Sequence, residues 1–235
     1  MVNQRPRQGR TILAVSAHPD DVEFTNGGAL ARWAAEGWTV HLVVCTNGDK
    51  GSHDPRVDPT ALVARRQEEQ HAAAEVLDIA EVVFLNYPDG ELTRAPDLVA
   101  ELARFVRRFR PHRLLAWDPW RRYELHPDHR AAGLATLDAT LAAGNPHCFP
   151  GQLAEGLTAH QVQEVYLYGA QEPDTWVDIA ATLERKLAAI ACHRSQVERM
   201  PNLAEDMRRC NADYGRESGY AYAEAFKVLR PFCDT

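Results

Sequence analysis

No Cys-x-x-Cys pair occurs in this 235-residue chain, and its five cysteines (Cys45, Cys148, Cys192, Cys210 and Cys233) are odd in number and widely spaced. That pattern argues against a disulfide framework or a thiolate metal site and fits a reducing, cytoplasmic setting. Positive charge is also short. The net charge is −7, whereas phosphate recognition needs a concentrated positive field, so nucleic acid is not an expected partner. Of the local basic pairs, such as Arg65-Arg66, Arg107-Arg108 and Arg121-Arg122, most read as solvated helix faces. Long apolar runs are missing too. Met1 to Arg10 is polar and basic and reads as a flexible N-terminal segment, and the run behind it is too short for a signal core or a membrane span. There is no internal repeat, and no Gly-x-Gly-x-x-Gly follows the first strand. Acidic side chains stand where a pyrophosphate would sit, which makes a nucleotide-binding module the poorer reading.

What the chain does contain is an alternation of strands and helices. Apolar residues at 45% and charged residues at 25% suit a globular protein, and residues 1–235 suffice for one α/β domain with a substantial core. The runs 11–17, 38–45, 81–85 and 113–117 are apolar and rich in β-branched residues, and so predict strands. Between them, helical spacing covers 27–36, 59–77 and 96–109, and a further helix is expected over 131–143. This order predicts a mostly parallel sheet with helices on both faces. Beyond Gly144 the pattern weakens. Residues 144–156 read as irregular and 162–168 as a strand paired with 175–179, with helices over 180–192 and 202–214. Residues 46–59 form a long polar loop of the kind that carries function.

Two ionisable clusters sit just past predicted strands: His18-Pro19-Asp20-Asp21 after the first, and His126-Pro127-Asp128-His129 after the fourth. In open α/β sheets the crevice beyond the carboxyl ends of the strands holds the ligand. A catalytic zinc takes three protein ligands and keeps one position open for water. His18, Asp21 and His129 supply two imidazoles and a carboxylate of that kind. Asp20 is the adjacent base for a water whose pKa the metal lowers toward roughly 7. His126, one helical turn from His129, is the candidate donor to a developing oxyanion, and Asp128 the carboxylate that orients an imidazole from behind. Either cluster alone reads equally well as a turn, with Asp20 or Asp21 capping a helix. Two clusters, each behind a strand, favour a metal or catalytic site. Trp120, Arg121, Arg122 and Tyr123 add an aromatic and basic rim suited to a sugar or an anionic group.

The stretch Ala17-His18-Pro19-Asp20-Asp21-Val22-Glu23 with Gly27-Gly28 resembles the signature of the LmbE-like/PIG-L zinc deacetylases. The resemblance continues through Thr46 to Gly51, Arg66 and Glu69, Asp89-Gly90, His126 to Arg130, His193 to Gln196 and Ala223 to Phe226, essentially the whole chain. It implies a Rossmann-like three-layer sandwich and the removal of an N-acetyl group from an amino sugar or GlcNAc-containing glycoconjugate. The alternatives are an amidase acting on a larger amide, such as a thiol conjugate or acylated antibiotic, and a non-catalytic binding module. By the same resemblance His18, Asp21 and His129 hold one Zn2+, a site of two imidazoles and a carboxylate that also suits iron, cobalt or nickel; Asp20 is base and then acid, and His126 stabilises the tetrahedral intermediate. Asp49, Arg66 and Asp89 match positions that touch the sugar, joined by Arg121 and Tyr123 from the rim. Relatives assemble as trimers or hexamers, so a homo-oligomer is expected. Glu124 departs from the pattern, standing where some relatives carry a mobile tyrosine.

Overall fold

The computed structural model describes residues 10–231; the N-terminal segment read as flexible lies, but for Arg10, outside the described residues. The chain runs β1 (Thr11–Ser16), α1 (Asp21–Ala35), β2 (Thr39–Thr46), α2 (Pro59–Leu77), β3 (Ile79–Tyr87), α3 (Leu98–Phe109), β4 (Arg113–Trp117), α4 (Pro127–Gly144) and α5 (Pro150–Ala154). It continues through β5 (Glu164–Tyr168), β6 (Thr175–Asp178), α6 (Leu183–Cys192), α7 (Arg194–Val197), α8 (Leu203–Ser218) and β7 (Ala223–Leu229). The seven-stranded sheet has the order β3-β2-β1-β4-β5-β7-β6, parallel from β3 to β5 and antiparallel at β7. The fold class is the expected one.

The central strands read as unbroken apolar runs because both of their faces are covered. One face of β1, β2 and β4 packs Leu13, Val15, Val43 and Leu114 against Leu102 and Val106 of α3 and Ala135 and Ala139 of α4. The other packs Ile12, Ala14, Leu42 and Leu115 against Leu30 and Trp33 of α1 and Leu183 of α6. After β3 the chain crosses back to lay β4 on the far side of β1, so strand order reverses between β1 and β4. The loops leaving these two strands carry the two His/Asp clusters, which therefore open onto one crevice.

Several local expectations need correction. Helix α1 begins at Asp21, not Gly27, and is broken at Asn26 (φ −142°), so the expected 27–36 segment is only its second half. Helix α4 begins at Pro127, which puts His129 on a helix and not in a loop. Strand β6 does not pair with β5. Residues 223–229, not read as a strand, insert between them and pair with both. The stretch 144–156 contains the short helix α5.

The basic pairs are not simply solvated faces either, since Arg66 and Arg107 are buried. Arg107 donates to the carbonyls of Ala142, Ala143, Asn145, Cys148 and Phe149 and to Gln152 Oε1. It thereby satisfies carbonyls that the end of α4 leaves without helical partners.

Helix α4 lies unusually close to β4. A Cβ at Gly133 would stand 2.5 Å from the Trp117 carbonyl oxygen, which is backbone and cannot swing aside. Gly133→Ala is expected to cost about 1–3 kcal/mol in urea unfolding, the usual penalty for overpacking. A cost near zero would show that the helix can lift off the strand freely.

Candidate active site

The turn after β1 is held in an unusual shape. Asp20 adopts φ 103° and ψ −25°, a left-handed conformation disfavoured for a residue with a Cβ. Although Asp20 occupies the N-cap position of α1, its side chain makes no capping hydrogen bond, so the bland reading of this residue fails. Arg66 reaches across from α2, donating to the carbonyls of Pro19 (2.6 Å) and Gly48 (3.1 Å) and standing 3.3 Å from Asp20 Oδ2. The flat guanidinium lies on the 48–51 turn, where a Cβ at Gly48 (φ 64°) or Gly51 would come within 2.4 Å of it. Burial pushes the Asp20 carboxyl up to about 6, against the pull of Arg66.

Asp21 folds its carboxylate back so that Oδ2 accepts the His18 amide at 2.8 Å. The same carboxylate faces two imidazoles, with Oδ2 3.6 Å from His18 Nδ1 and Oδ1 3.3 Å from His129 Nε2. Burial opposes its charge, but the two histidines outweigh it and hold the carboxyl well below the usual range. His129 is stacked on Trp117 at 3.8 Å and on His126 at 4.7 Å. Its Nδ1 lies 3.4 Å from Glu124 Oε1.

The other nitrogen of His18, Nε2, sits 3.3 Å from both Asp89 Oδ1 and Asp128 Oδ2. Asp128 is wholly buried and accepts the amides of Gly90 (2.6 Å) and Leu92 (3.0 Å), which ties the start of α4 to the turn after β3. Burial alone would make His18 hard to protonate. The carboxylates of Asp21, Asp128 and Asp89 outweigh burial and push it up to about 12. So strong an excess of negative charge around one buried ring is the electrostatics of a cation site.

The donor set fits a divalent metal. Ligands held at roughly 2.0–2.1 Å by a tetrahedral ion stand about 3.3–3.4 Å apart, close to the spacings that flank Asp21. The nitrogens that face Asp21 are His18 Nδ1 and His129 Nε2, while His18 Nε2 and His129 Nδ1 turn away toward Asp128 and Glu124. Among the described residues, ligating atoms gather within 4.8 Å of one another in two groups that share His18: His18, His126 and His129, and His18, Asp89 and Asp128. Asp21 belongs to neither group and meets His18 and His129 pairwise, one carboxylate oxygen toward each.

His126 is the N-cap of α4, and its Nδ1 accepts the Asp128 amide at 3.3 Å. Burial, with His18 and His129 nearby, lowers its pKa. In the neutral ring an accepting Nδ1 places the hydrogen on Nε2, the nitrogen 4.0 Å from Asp89 Oδ1. The tautomer is thus set by the start of a helix.

The chain matches the PIG-L family, described as GlcNAc-PI de-N-acetylase, over residues 13–140, a span that contains both clusters. It belongs to the PIG-L family. A diacetylchitobiose deacetylase of Thermococcus kodakarensis is 34% identical over 230 residues, spanning 97% of this chain and 86% of the relative. The solved N,N'-diacetylchitobiose deacetylase of Pyrococcus horikoshii, bound to an inhibitor, superposes with a TM-score of 0.88 at 30% identity, covering 97% of this chain and 89% of that one. A 4-oxalmesaconate hydratase of Pseudomonas putida is 29% identical over 201 residues, 80% of this chain and 74% of the relative.

Within this PIG-L chain the remaining expected residues fall into two sets. Asp49 accepts the Asp89 amide at 2.9 Å, so it and the buried Arg66 brace the loops of the site. Arg121 lies near Glu124, and Tyr123 stands 86% exposed at the rim with Trp120, 64% exposed. Two further side chains shape the site without a local sequence mark for their role: Glu124, the partner of His129, and Gln70, which accepts the Asp20 amide at 3.0 Å. The departure at position 124 marks the first position but not its role; nothing marks the second.

Proposed function

We propose that the protein is a zinc-dependent deacetylase that removes the N-acetyl group from an amino sugar or a GlcNAc-containing glycoconjugate. The observation that carries this reading is the Asp21 carboxylate facing both His18 and His129, with Asp20 beside it and free of any capping bond. The likeness to diacetylchitobiose deacetylases over nearly the whole chain supports the substrate class.

In this reading His18, Asp21 and His129 hold the ion, two imidazoles and a carboxylate being a donor set that zinc accepts. Zinc bound there supplies Lewis acidity and lowers the pKa of water toward roughly 7. Asp20 accepts the proton of the attacking water and later passes it to the leaving amine. The Nε2 hydrogen of His126 donates to the oxyanion of the tetrahedral intermediate. Asp128 behind His18 and Glu124 behind His129 keep the two rings turned toward the ion. Asp89, Arg121 and Tyr123 are read as sugar contacts, with Asp49 and Arg66 supporting the loops beneath them.

The exposed rim of Trp120 and Tyr123 favours, as a second reading, a larger N-acylated substrate such as a thiol conjugate or acylated antibiotic. The described cysteines Cys45, Cys148, Cys192 and Cys210 are unpaired, which supports a cytoplasmic location. No described helix is long and apolar enough to cross a membrane. A single domain over 1–235 and a homo-oligomer complete the proposal, the latter read by light scattering.

The test is an amine-release screen across N-acetylglucosamine, its inositol and malate glycosides, diacetylchitobiose and acylated glycopeptides. Release that chelation abolishes and zinc restores is the expected outcome. Release from none of them, or release that survives chelation, removes the reading. Elemental analysis of His129→Ala is expected to return protein depleted of metal, and full occupancy would take His129 out of the ligand set.

A further inference from the structure

The left-handed backbone of Asp20 needs something to hold it, because relaxation to an extended N-cap conformation would let its carboxylate fold onto the start of α1 and cap it. The grip comes from α2. Gln70, wholly buried, accepts the Asp20 amide through Oε1 at 3.0 Å and donates from Nε2 to Glu23 Oε1 at 2.7 Å. Both ends of the amide are thereby committed, and the flipped orientation would set its NH2 group against the Asp20 N–H. Glu23 is itself wholly buried on α1, and its second oxygen lies 3.4 Å from Nε2 of the buried His193. A continuous line of polar contacts thus runs from His193 through Glu23 and Gln70 to the backbone of Asp20. Arg66, one turn before Gln70 on the same helix, closes on the Pro19 carbonyl and the Asp20 carboxylate from the other side.

We propose that Gln70 is a positioning residue that holds Asp20 in its left-handed conformation, so that the carboxylate faces the reacting centre instead of the helix N-terminus. The inference rests on the reading of Asp20 as the proton acceptor. Gln70 touches neither substrate nor metal in this account, and its removal leaves the ligands in place. The geometry of proton transfer suffers, while substrate binding does not.

The test compares wild type with Gln70→Leu, which has no acceptor, and Gln70→Asn, which keeps a buried amide but falls short of Asp20 and guards against a folding failure of the first. Amide hydrogen exchange at Asp20 is expected to accelerate in both. On the best substrate from the amine-release screen, kcat is expected to fall about tenfold to a hundredfold, as for a misplaced catalytic group. KM and metal content should stay at their wild-type values, a split that reads lost chemistry and not lost binding. Unchanged exchange at Asp20, or an unchanged kcat in the folded variants, overturns the proposal. A wild-type protein that releases no amine from any substrate defeats the deacetylase reading instead, and the exchange measurement then judges the Gln70 contact alone.

Discussion

Asp20→Ala keeps its metal and loses turnover by about a hundredfold or more, the contribution of a well-placed proton acceptor. The carboxylate that faces the two imidazoles belongs to Asp21, so removing Asp20 takes nothing from the ligand set proposed above. Burial pushes the Asp20 carboxyl up to about 6, with Arg66 opposing. A carboxyl with that value is ionised at neutral pH yet basic enough to accept a proton from an activated water. The sign of the pH dependence follows: kcat/KM rises from acid pH through about 6 as Asp20 loses its proton, then levels. That limb should vanish in the variant. Steady-state kinetics across pH, with elemental analysis of the same samples, make the check; turnover near wild type with metal bound would remove Asp20 from the mechanism.

Glu224→Ala destabilises the fold by about 3–5 kcal/mol, the scale for breaking a buried ion pair by deleting one partner. The need for Glu224 arises in α1. The break at Asn26 interrupts the helical ladder and leaves the amides of Gly28 and Ala29 to be satisfied by another partner. Glu224, on β7, accepts them at 3.0 and 2.7 Å and also accepts from Lys186 Nζ of α6 at 2.6 Å. Glu224 and Lys186 are each 1% exposed. The alanine variant therefore strands a buried ammonium and two amides together. Lys186→Met should cost less, since the carboxylate keeps both backbone donors. Urea unfolding of the two variants measures the difference, and a Glu224→Ala loss below about 1 kcal/mol, the scale of an exposed pair, would contradict this account.

The legible parts of the chain were those where one local pattern has one physical meaning. Strands β1, β2 and β4 announced themselves because a strand covered on both faces is a short, unbroken apolar run. The two His/Asp clusters stood out because their residue types and their place behind strands agreed. The starts of α1 and α4 are masked in the sequence because polar site residues occupy the first turns and hide the apolar spacing. The burial of Arg66 and Arg107 is hidden in their local sequence for a related reason. Beside Arg65 and Arg108 each looks like half of a solvated pair, and only the packing of α2 and α3 turns one member inward.

Residue order alone thus decided the alternation of elements, the α/β class and the chemistry on offer, since these depend on periodicity and composition within short windows. Folding in three dimensions decided the rest: which strand slips between β5 and β6, which nitrogen of His126 carries its hydrogen, and which side chains grip Asp20. Those outcomes rest on contacts such as Gln70 with Asp20 and Glu224 with Gly28, between residues far apart along the chain. Such partners leave no mark in any local stretch, because a hydrogen bond depends on where two groups arrive and not on what surrounds them in sequence.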